Sequence, residues 1–162
     1  MSEPIRICFV CLGNICRSPT AEGIMLHLVE HAGLSARIAI DSAGTGGYHV
    51  GERADPRSRA EALARGVELP SRARKFVAAD FEHFDYVVAM DQQNHGDLAE
   101  LAVGPEQLGK LQLLRAFDAA SARDAEVPDP YYGGDQGFAR VFDICHAGCS
   151  GLLEHIRQRH KL

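Results

Sequence analysis

The fold is decided between Val10 and Thr20, where the chain reads VCLGNICRSPT. The run from Arg6 into this stretch, RICFV, is short, apolar and bounded by a proline and a glycine, as is typical of a buried strand. After it, Ser18 suits a helix N-cap and Pro19 suits the first helical position. The stretch therefore predicts a strand, a tight loop and a helix in direct succession.

The loop between the predicted strand and helix has the residues of an anion site. Gly13 and Asn14 tolerate positive φ angles, which lets successive backbone N–H groups point inward. The free N–H groups at the start of the helix also favour an anion, and the planar fork of Arg17 can bind two oxygens of a phosphate. The same field favours the thiolate of Cys11, which is the nucleophilic form. An incidental strand-to-helix turn would not explain why all these residue types coincide, and no Walker A motif is present.

The remainder of the chain alternates between strand and helix patterns. Further strands are predicted at Arg37–Asp41, Asp85–Met90 and Lys110–Leu114, and helices at Ser18–Ala32, Ala54–Arg65, Gln92–Leu101 and Phe138–His160. This alternation predicts an α/β fold with a four-stranded parallel sheet flanked by helices on both faces, in a single domain over residues 1–162. Ligands of such sheets bind beyond the carboxyl ends of the strands, which is where the phosphate-binding loop after strand 1 lies.

Composition limits the classes of partner. The chain has 162 residues, is 46% apolar and carries a net charge of −5, which argues against a nucleic-acid partner. No cationic and apolar leader pattern opens it, and its apolar runs are too short for membrane insertion. Its odd number of cysteines is then expected to be reduced in a cytoplasmic protein. They are Cys8, Cys11, Cys16, Cys145 and Cys149.

A candidate general acid lies far along the chain, at Asp129. Prolines on both sides restrict its backbone, and a carboxylic acid placed in this way can protonate a leaving oxygen. Asp-Pro also occurs in ordinary turns. The adjacent Tyr131 and Tyr132 favour the catalytic interpretation, because they predict a cleft wall that stacks on an aromatic substrate.

Three other patterns are interpreted as structural, so no metal and no cofactor is expected. His27–His31 fits H-x-x-E-H, but His27 and Glu30 point away from the apolar helix face and indicate a solvated surface. Cys145 and Cys149 are spaced as core residues of an amphipathic helix. The glycine-rich segment 44–47 lacks the spacing of a dinucleotide fingerprint and is expected to be a mobile loop beside the cleft.

With these motifs in place, the chain resembles the low-molecular-weight protein tyrosine phosphatases. The resemblance covers essentially the whole chain, with its motifs in the family's order: VCLGNICRSP, Asp41-Ser42, Asp55-Pro56-Arg57, Asp85-Tyr86, Met90-Asp91 and DPYYG at 129–133. It implies the same four-stranded fold and hydrolysis of phosphotyrosine and small aryl phosphates through a phosphocysteine. Tyrosine-phosphorylated proteins would be the substrates, and inorganic phosphate would be the product and a competitive ligand.

The resemblance also implies a role for each matching residue. Cys11 would be the nucleophile, Arg17 the phosphate binder and Asp129 the general acid. The other implied site residues are Leu12, Gly13, Asn14, Ile15, Cys16, Ser18, Tyr48 and Tyr131, with Ser42 in support. One position departs from the pattern, because Ser71 stands where the family often has a histidine in the network around the loop asparagine.

Alternative functions remain open on the same loop. A thioredoxin-coupled arsenate reductase would need further cysteines in mid-chain, and none lies between Cys16 and Cys145. A protein-arginine phosphatase typically has threonine where Ile15 stands. A non-catalytic phosphotyrosine-binding module would not need Cys11 and Asp129. Cys16 is expected to lie close enough to Cys11 to act as a resolving thiol after oxidation, the alternative being simple packing beneath the loop.

Overall fold

The computed structural model describes residues 3–131, 133–134 and 136–162. The strands are β1 (Ile5–Cys11), β2 (Ile38–Gly44), β3 (Tyr86–Ala89) and β4 (Leu111–Leu113). The helices are α1 (Arg17–His31), α2 (Pro56–Ala64), α3 (Asp80–His83), α4 (Gln92–Leu101), α5 (Gly104–Leu108) and α6 (Gln136–His160), with a 3-10 helix at Leu114–Phe117. Every predicted strand and helix is present, whereas α3, α5 and the 3-10 turn were not predicted.

The strands form one parallel sheet in the order β2-β1-β3-β4. The central strand β1 is apolar on both faces because each face is covered. Ile7 and Phe9 lie in a core beneath α1 and α6, whereas Cys8 and Val10 lie in a second core beneath α3 and α4. The predicted fold class is confirmed, and Cys11 stands at the carboxyl end of this central strand.

Helix α6 closes the first core. Leu152 and Ile156 are fully buried against the sheet side, and Cys145 and Cys149 are buried with them, as the helical spacing of the two cysteines predicts. None of the helices in the described part of the chain combines the length and the apolarity that a membrane span requires.

The prediction that Ser18 caps α1 is wrong. The helix begins at Arg17, its N-cap is Cys16, and no side chain caps it. Asn14 has a φ of 58°, and this turn before Arg17 lets the helix begin earlier than predicted. The backbone N–H and the hydroxyl of Thr20 then both donate to the carbonyl of Cys16, at 3.2 and 2.7 Å. Ser18 is thereby buried in the first helical turn, where its hydroxyl does not cap the helix and also lies 3.4 Å from the carbonyl of Ala43.

The expectation of a mobile loop at 44–47 also needs correction at its start. Strand β2 continues to Gly44, which pairs with Cys11. The backbone N–H groups of Thr45 and Gly46 then donate to the carbonyls of Cys11 and Leu12, both at 2.9 Å. These hydrogen bonds tie the start of the glycine-rich segment to the phosphate-binding loop.

Candidate active site

A pocket of about 450 Å³ opens at the carboxyl end of β1. The loop after β1 forms its floor, and segments around residues 48 and 129 form its walls. Its lining consists of Cys11, Leu12, Gly13, Ile15, Cys16, Arg17, Tyr48, His49, Asp129 and Tyr131. Of these, only His49 was not predicted from the sequence.

The candidate nucleophile lies at the base of the pocket. The Sγ atom of Cys11 is 3.0 Å from the hydroxyl of Ser18, and the cysteine is only 3% exposed. A hydroxyl can donate to a thiolate, and such charge-assisted hydrogen bonds are stronger than neutral ones. Ser18 is thus placed to stabilise the charged form of Cys11.

Asn14 holds the curled loop in shape. Its Nδ2 group donates to the hydroxyls of Ser18 at 2.7 Å and Ser42 at 3.0 Å, and its Oδ1 atom accepts from the backbone N–H of Arg74 at 3.0 Å. A non-glycine residue at positive φ is strained unless its surroundings hold it there. These three hydrogen bonds supply that support.

Glu22, which was not predicted as a site residue from the sequence, extends this network. Its Oε1 atom accepts from the hydroxyls of Ser42 and Ser71, each at 2.6 Å. Burial raises the pKa of Glu22 above its ordinary value of 4.5, although the two hydroxyl hydrogen bonds and Arg74 act in the opposite direction. Ser71 therefore connects to Asn14 through Glu22 and Ser42. The one available signal was that Glu22 follows Ser18 by four residues, on the same helix face.

Arg17 is buried beside the nucleophile, and hydrogen bonds to two other segments of the chain fix its guanidinium. Its Nη1 group donates to Asp91 Oδ2 at 2.6 Å and to the carbonyl of Val127 at 3.1 Å. Burial by itself would lower the pKa of Arg17, but Cys11 and Asp91 outweigh it and the pKa is raised. The guanidinium is therefore a fixed cation at the base of the pocket. The contact of Asp91 with Arg17 was not predicted from the sequence.

Asp129 lies across the pocket from Cys11. Its Oδ1 atom accepts from the backbone N–H of Tyr131 at 3.0 Å, and its Oδ2 atom lies 3.6 Å from Arg17 Nη2. The carboxylate thus closes a local turn and faces the pocket at the same time. Tyr131 forms part of the wall as predicted, while the predicted contribution of Tyr132 lies outside the described residues.

Two side chains from one loop form another part of the rim, where the ring centroid of His49 lies 6.3 Å from that of Tyr131. Tyr48 is 77% exposed, and its ring lies so close to Gly46 that an added Cβ there would come within 2.4 Å of a ring carbon. The ring of His49 lies over Gly13 and its Nδ1 atom is 2.7 Å from Glu52 Oε2. A single histidine in a loop carries no sequence signal, which is why His49 was missed.

The second loop cysteine lines the pocket but is almost fully buried. Cys16 is 5% exposed, and burial raises the pKa of its thiol to about 12, despite a hydrogen bond with Ser58 that lowers it. Cys11 and Cys16 are both free thiols.

The H-x-x-E-H pattern forms no metal site in the described part of the chain, where no group of three or more His, Cys, Asp or Glu side chains gathers. Glu30 and His31 are exposed and the ring of His27 lies against that of His31, with centroids 4.1 Å apart.

A buried thiol, a fixed guanidinium and a carboxylate around one pocket define a cysteine-dependent phosphatase. The model of the family described as low molecular weight phosphotyrosine protein phosphatase matches residues 6–162. The chain belongs to this family, whose members are hydrolases.

Individual relatives agree with this assignment. A low molecular weight protein-tyrosine-phosphatase of Streptomyces coelicolor is 46% identical over 155 residues, which cover 95% of this chain and 94% of that protein. The crystal structure of a protein tyrosine phosphatase from Entamoeba histolytica superposes with a TM-score of 0.90 at 40% identity, covering 98% of this chain and 99% of that one. A Drosophila arginine phosphatase structure superposes with a TM-score of 0.87 at 33% identity, covering 94% and 98% of the two chains.

Proposed function

We propose that this chain is a protein-tyrosine phosphatase that hydrolyses phosphotyrosine and small aryl phosphates through a phosphocysteine intermediate. The observation that carries the proposal is the placement of Cys11, Arg17 and Asp129 around one pocket with tyrosines at its rim. The activity would be carried by a single domain over residues 1–162.

In the first step, the Cys11 thiolate attacks phosphorus in line with the departing phenol. Arg17 and the backbone N–H groups of the loop bind the phosphoryl oxygens, where each well-placed donor is worth about 3 kcal/mol. Asp129 protonates the phenolate oxygen as the P–O bond breaks, since a phenol with a pKa of about 10 leaves poorly as an anion.

In the second step, water attacks the phosphocysteine and Asp129, now ionised, removes its proton. The S–P bond breaks, inorganic phosphate forms and Cys11 returns as a thiolate. The hydroxyl of Ser18, 3.0 Å from Cys11 Sγ, stabilises the thiolate as the leaving group. Inorganic phosphate then competes with substrate for the same loop.

The rim favours an aryl substrate on a protein. Tyr48 and Tyr131 line the mouth, and flat aromatic rings stack on a phenyl group. The proposed partners are therefore tyrosine-phosphorylated proteins. We also propose a cytoplasmic location, with no nucleic-acid partner and no membrane insertion.

Phosphoarginine is the second candidate substrate, because a Drosophila arginine phosphatase shares the fold at 33% identity. Ile15 lines the pocket, and an apolar side chain there offers no hydrogen bond to a guanidinium. Phosphotyrosine is therefore the better fit.

One assay tests the proposal against its alternatives. Matched peptides with phosphotyrosine, phosphoserine or phosphoarginine, and arsenate with thioredoxin, are compared as substrates. Phosphotyrosine should be turned over fastest, and Cys11→Ser should abolish turnover. Cys149→Ser makes the same change in the helical core, where the carbonyl of Ala21 accepts from the side chain, and should keep turnover. Faster turnover of phosphoarginine than of phosphotyrosine, or reduction of arsenate, would contradict the proposed activity and favour the corresponding alternative.

The pocket also supports redox regulation of the nucleophile. Peroxide would oxidise the Cys11 thiolate to sulfenic acid, and the sulfur of Cys16 would then displace water to form a disulfide. Because the pKa of Cys16 is about 12, it is protonated at neutral pH and this closure should be slow. After peroxide and then dithiothreitol, Cys16→Ser should recover less activity than the wild type. Equal recovery would make Cys16 a packing residue.

A further inference from the structure

Two backbone segments run side by side along one side of the pocket mouth. The loop after β2 carries Tyr48, and the segment from Ser71 to Phe76 lies next to it. Isolated β-bridges join Gly44 to Lys75 in parallel and Arg53 to Arg72 in antiparallel orientation. The two segments therefore form one continuous surface that starts at the pocket rim.

This surface concentrates positive charge. Arg53, Arg72 and Lys75 are all exposed. Residues that face each other across an antiparallel bridge have Cβ atoms about 5 Å apart, and like charges placed in this way destabilise the pair. Arg53 and Arg72 occupy such a position in a chain whose net charge is −5.

The neighbouring carboxylates form no ion pair with these three cations. Among the described residues, every ion pair within 4.0 Å involves other side chains. Glu52 is paired with His49, and Asp97 lines a neighbouring cavity with Lys75 without forming an ion pair. By contrast, Arg74, which lies between two of them, is paired with Asp41 and Asp80.

None of the three cations lines the pocket itself, but they lie along the loop that carries the rim residue Tyr48. The side chain of Lys75 packs beside Gly47, where an added Cβ would lie 3.8 Å from its Cδ atom, and Gly47 precedes the rim residue Tyr48. Arg72 donates from Nη1 to the carbonyl of Gly51 at 3.0 Å, at the far end of the same loop. A ligand that fills the pocket and extends along this loop would pass over the cations.

We propose that Arg53, Arg72 and Lys75 form a docking surface for acidic residues that flank the phosphotyrosine of a substrate protein. The proposal rests on the proposed function and names the substrate class of that site. An extended peptide advances about 3.3 Å per residue, so acidic side chains two to four positions from the phosphotyrosine lie roughly 7 to 13 Å away from it. The cations lie along the loop that forms the pocket rim, which favours a peptide bound in the pocket. An anionic lipid surface could bind cations anywhere on the protein and would not require a position beside the pocket.

The test compares two phosphotyrosine peptides, one with glutamates on both sides of the phosphotyrosine and one with glutamines in their place. Wild type should have about a fivefold lower KM for the glutamate peptide at low salt, and the difference should shrink as salt rises. The combined variant Arg53→Gln, Arg72→Gln and Lys75→Gln, called the mouth variant, should lose this preference for the glutamate peptide. Its loss on the glutamate peptide should exceed any change with para-nitrophenyl phosphate.

A remote variant with the same charge change provides the control. Arg37→Gln, Arg157→Gln and Lys161→Gln alter exposed cations near the start of β2 and the end of α6. This variant should keep the preference. If the mouth variant does not fold, Arg72→Gln alone should reduce the preference about twofold.

Two results would overturn the proposal: equal KM values for both peptides with wild type, or an unchanged preference in the mouth variant. A third outcome would assign the surface to lipid instead. In that case wild type binds phosphatidylserine vesicles, the mouth variant does not, and neither protein prefers the glutamate peptide. Peptide binding to Cys11→Ser gives the same comparison without turnover. An absent phosphatase activity is thereby distinguished from an absent docking surface.

Discussion

Replacement of Asp91 by asparagine should separate the positioning of Arg17 from the stability of α4. Asp91 uses one oxygen to accept from Arg17 Nη1 at 2.6 Å and the other to cap α4 through the backbone N–H of Asn94 at 2.8 Å. Asparagine is also a good N-cap, so the substitution keeps the cap. It removes the negative charge that faces the guanidinium.

The magnitude follows from the burial of Arg17. Its side chain is 3% exposed, and without Asp91 its Nη1 group keeps only the carbonyl of Val127 at 3.1 Å. A lost hydrogen bond to a charged group costs about 1.5–3 kcal/mol. If the loss appears in phosphate and transition-state binding, kcat/KM should fall about ten- to a hundredfold, at about 1.4 kcal/mol per tenfold change.

The assay measures kcat/KM for an aryl phosphate, inhibition by inorganic phosphate and urea unfolding. Asp91→Asn should lose activity and phosphate affinity, together with some stability because Arg17 is left buried without its counter-charge. Asp91→Ala should lose about 1 kcal/mol of stability in addition, because it also removes the cap. Asp97→Asn, the same charge change on α4, should resemble wild type. Activity of Asp91→Asn within about twofold of wild type would refute the claim that Asp91 positions Arg17.

Other predictions concern the acid, the buried network and the rim. Asp129→Asn should reduce the steady-state turnover of phosphotyrosine about 100-fold or more. It should affect an aryl phosphate with an acidic phenol much less, because that leaving group needs no proton. Equal losses on the two substrates would contradict the role of Asp129 as the acid. The raised pKa of Glu22 means that the native state binds its proton more tightly than the unfolded state does, so stability from this group is lost as pH rises above 4.5. Urea unfolding should therefore show Glu22→Gln gaining stability relative to wild type as pH rises, and a pH-independent difference would contradict it. Gly46→Ala should displace the ring of Tyr48 and raise KM for an aryl phosphate while phosphate inhibition stays constant. Gly47→Ala, with 3.7 Å of clearance to its nearest neighbour, is the matched control, and equal KM values would show that the ring adapts.

The elements that were predictable from the sequence are those with local signals. The apolar run of β1, the helical pattern over Phe138–His160 and the loop from Cys11 to Arg17 each carry their signal within one stretch, and α6 begins only two residues before its predicted start. The helices α3 and α5 have four and five residues, which is too short for a helical period to register.

The unpredicted parts of the site depend on contacts between distant segments. The contact of Arg17 with Asp91 spans 74 positions, and its contact with Val127 spans 110 and involves a backbone carbonyl, to which side-chain identity gives no signal. Glu22 resembles a surface glutamate in sequence, and its burial follows only once Ser42 and Ser71 are packed against α1. The wrong N-cap has the same origin, because the positive φ of Asn14 depends on tertiary hydrogen bonds.

The most direct test of the mechanism is mass spectrometry of the protein quenched in acid during turnover of an aryl phosphate. A substrate with an acidic phenol makes the first step fast, so the intermediate accumulates before water attacks it. The peptide that contains Cys11 should carry one added phosphoryl group, which should be absent in Cys11→Ser. A protein that turns over the substrate without this adduct, or that carries it on another residue, would contradict nucleophilic catalysis by Cys11.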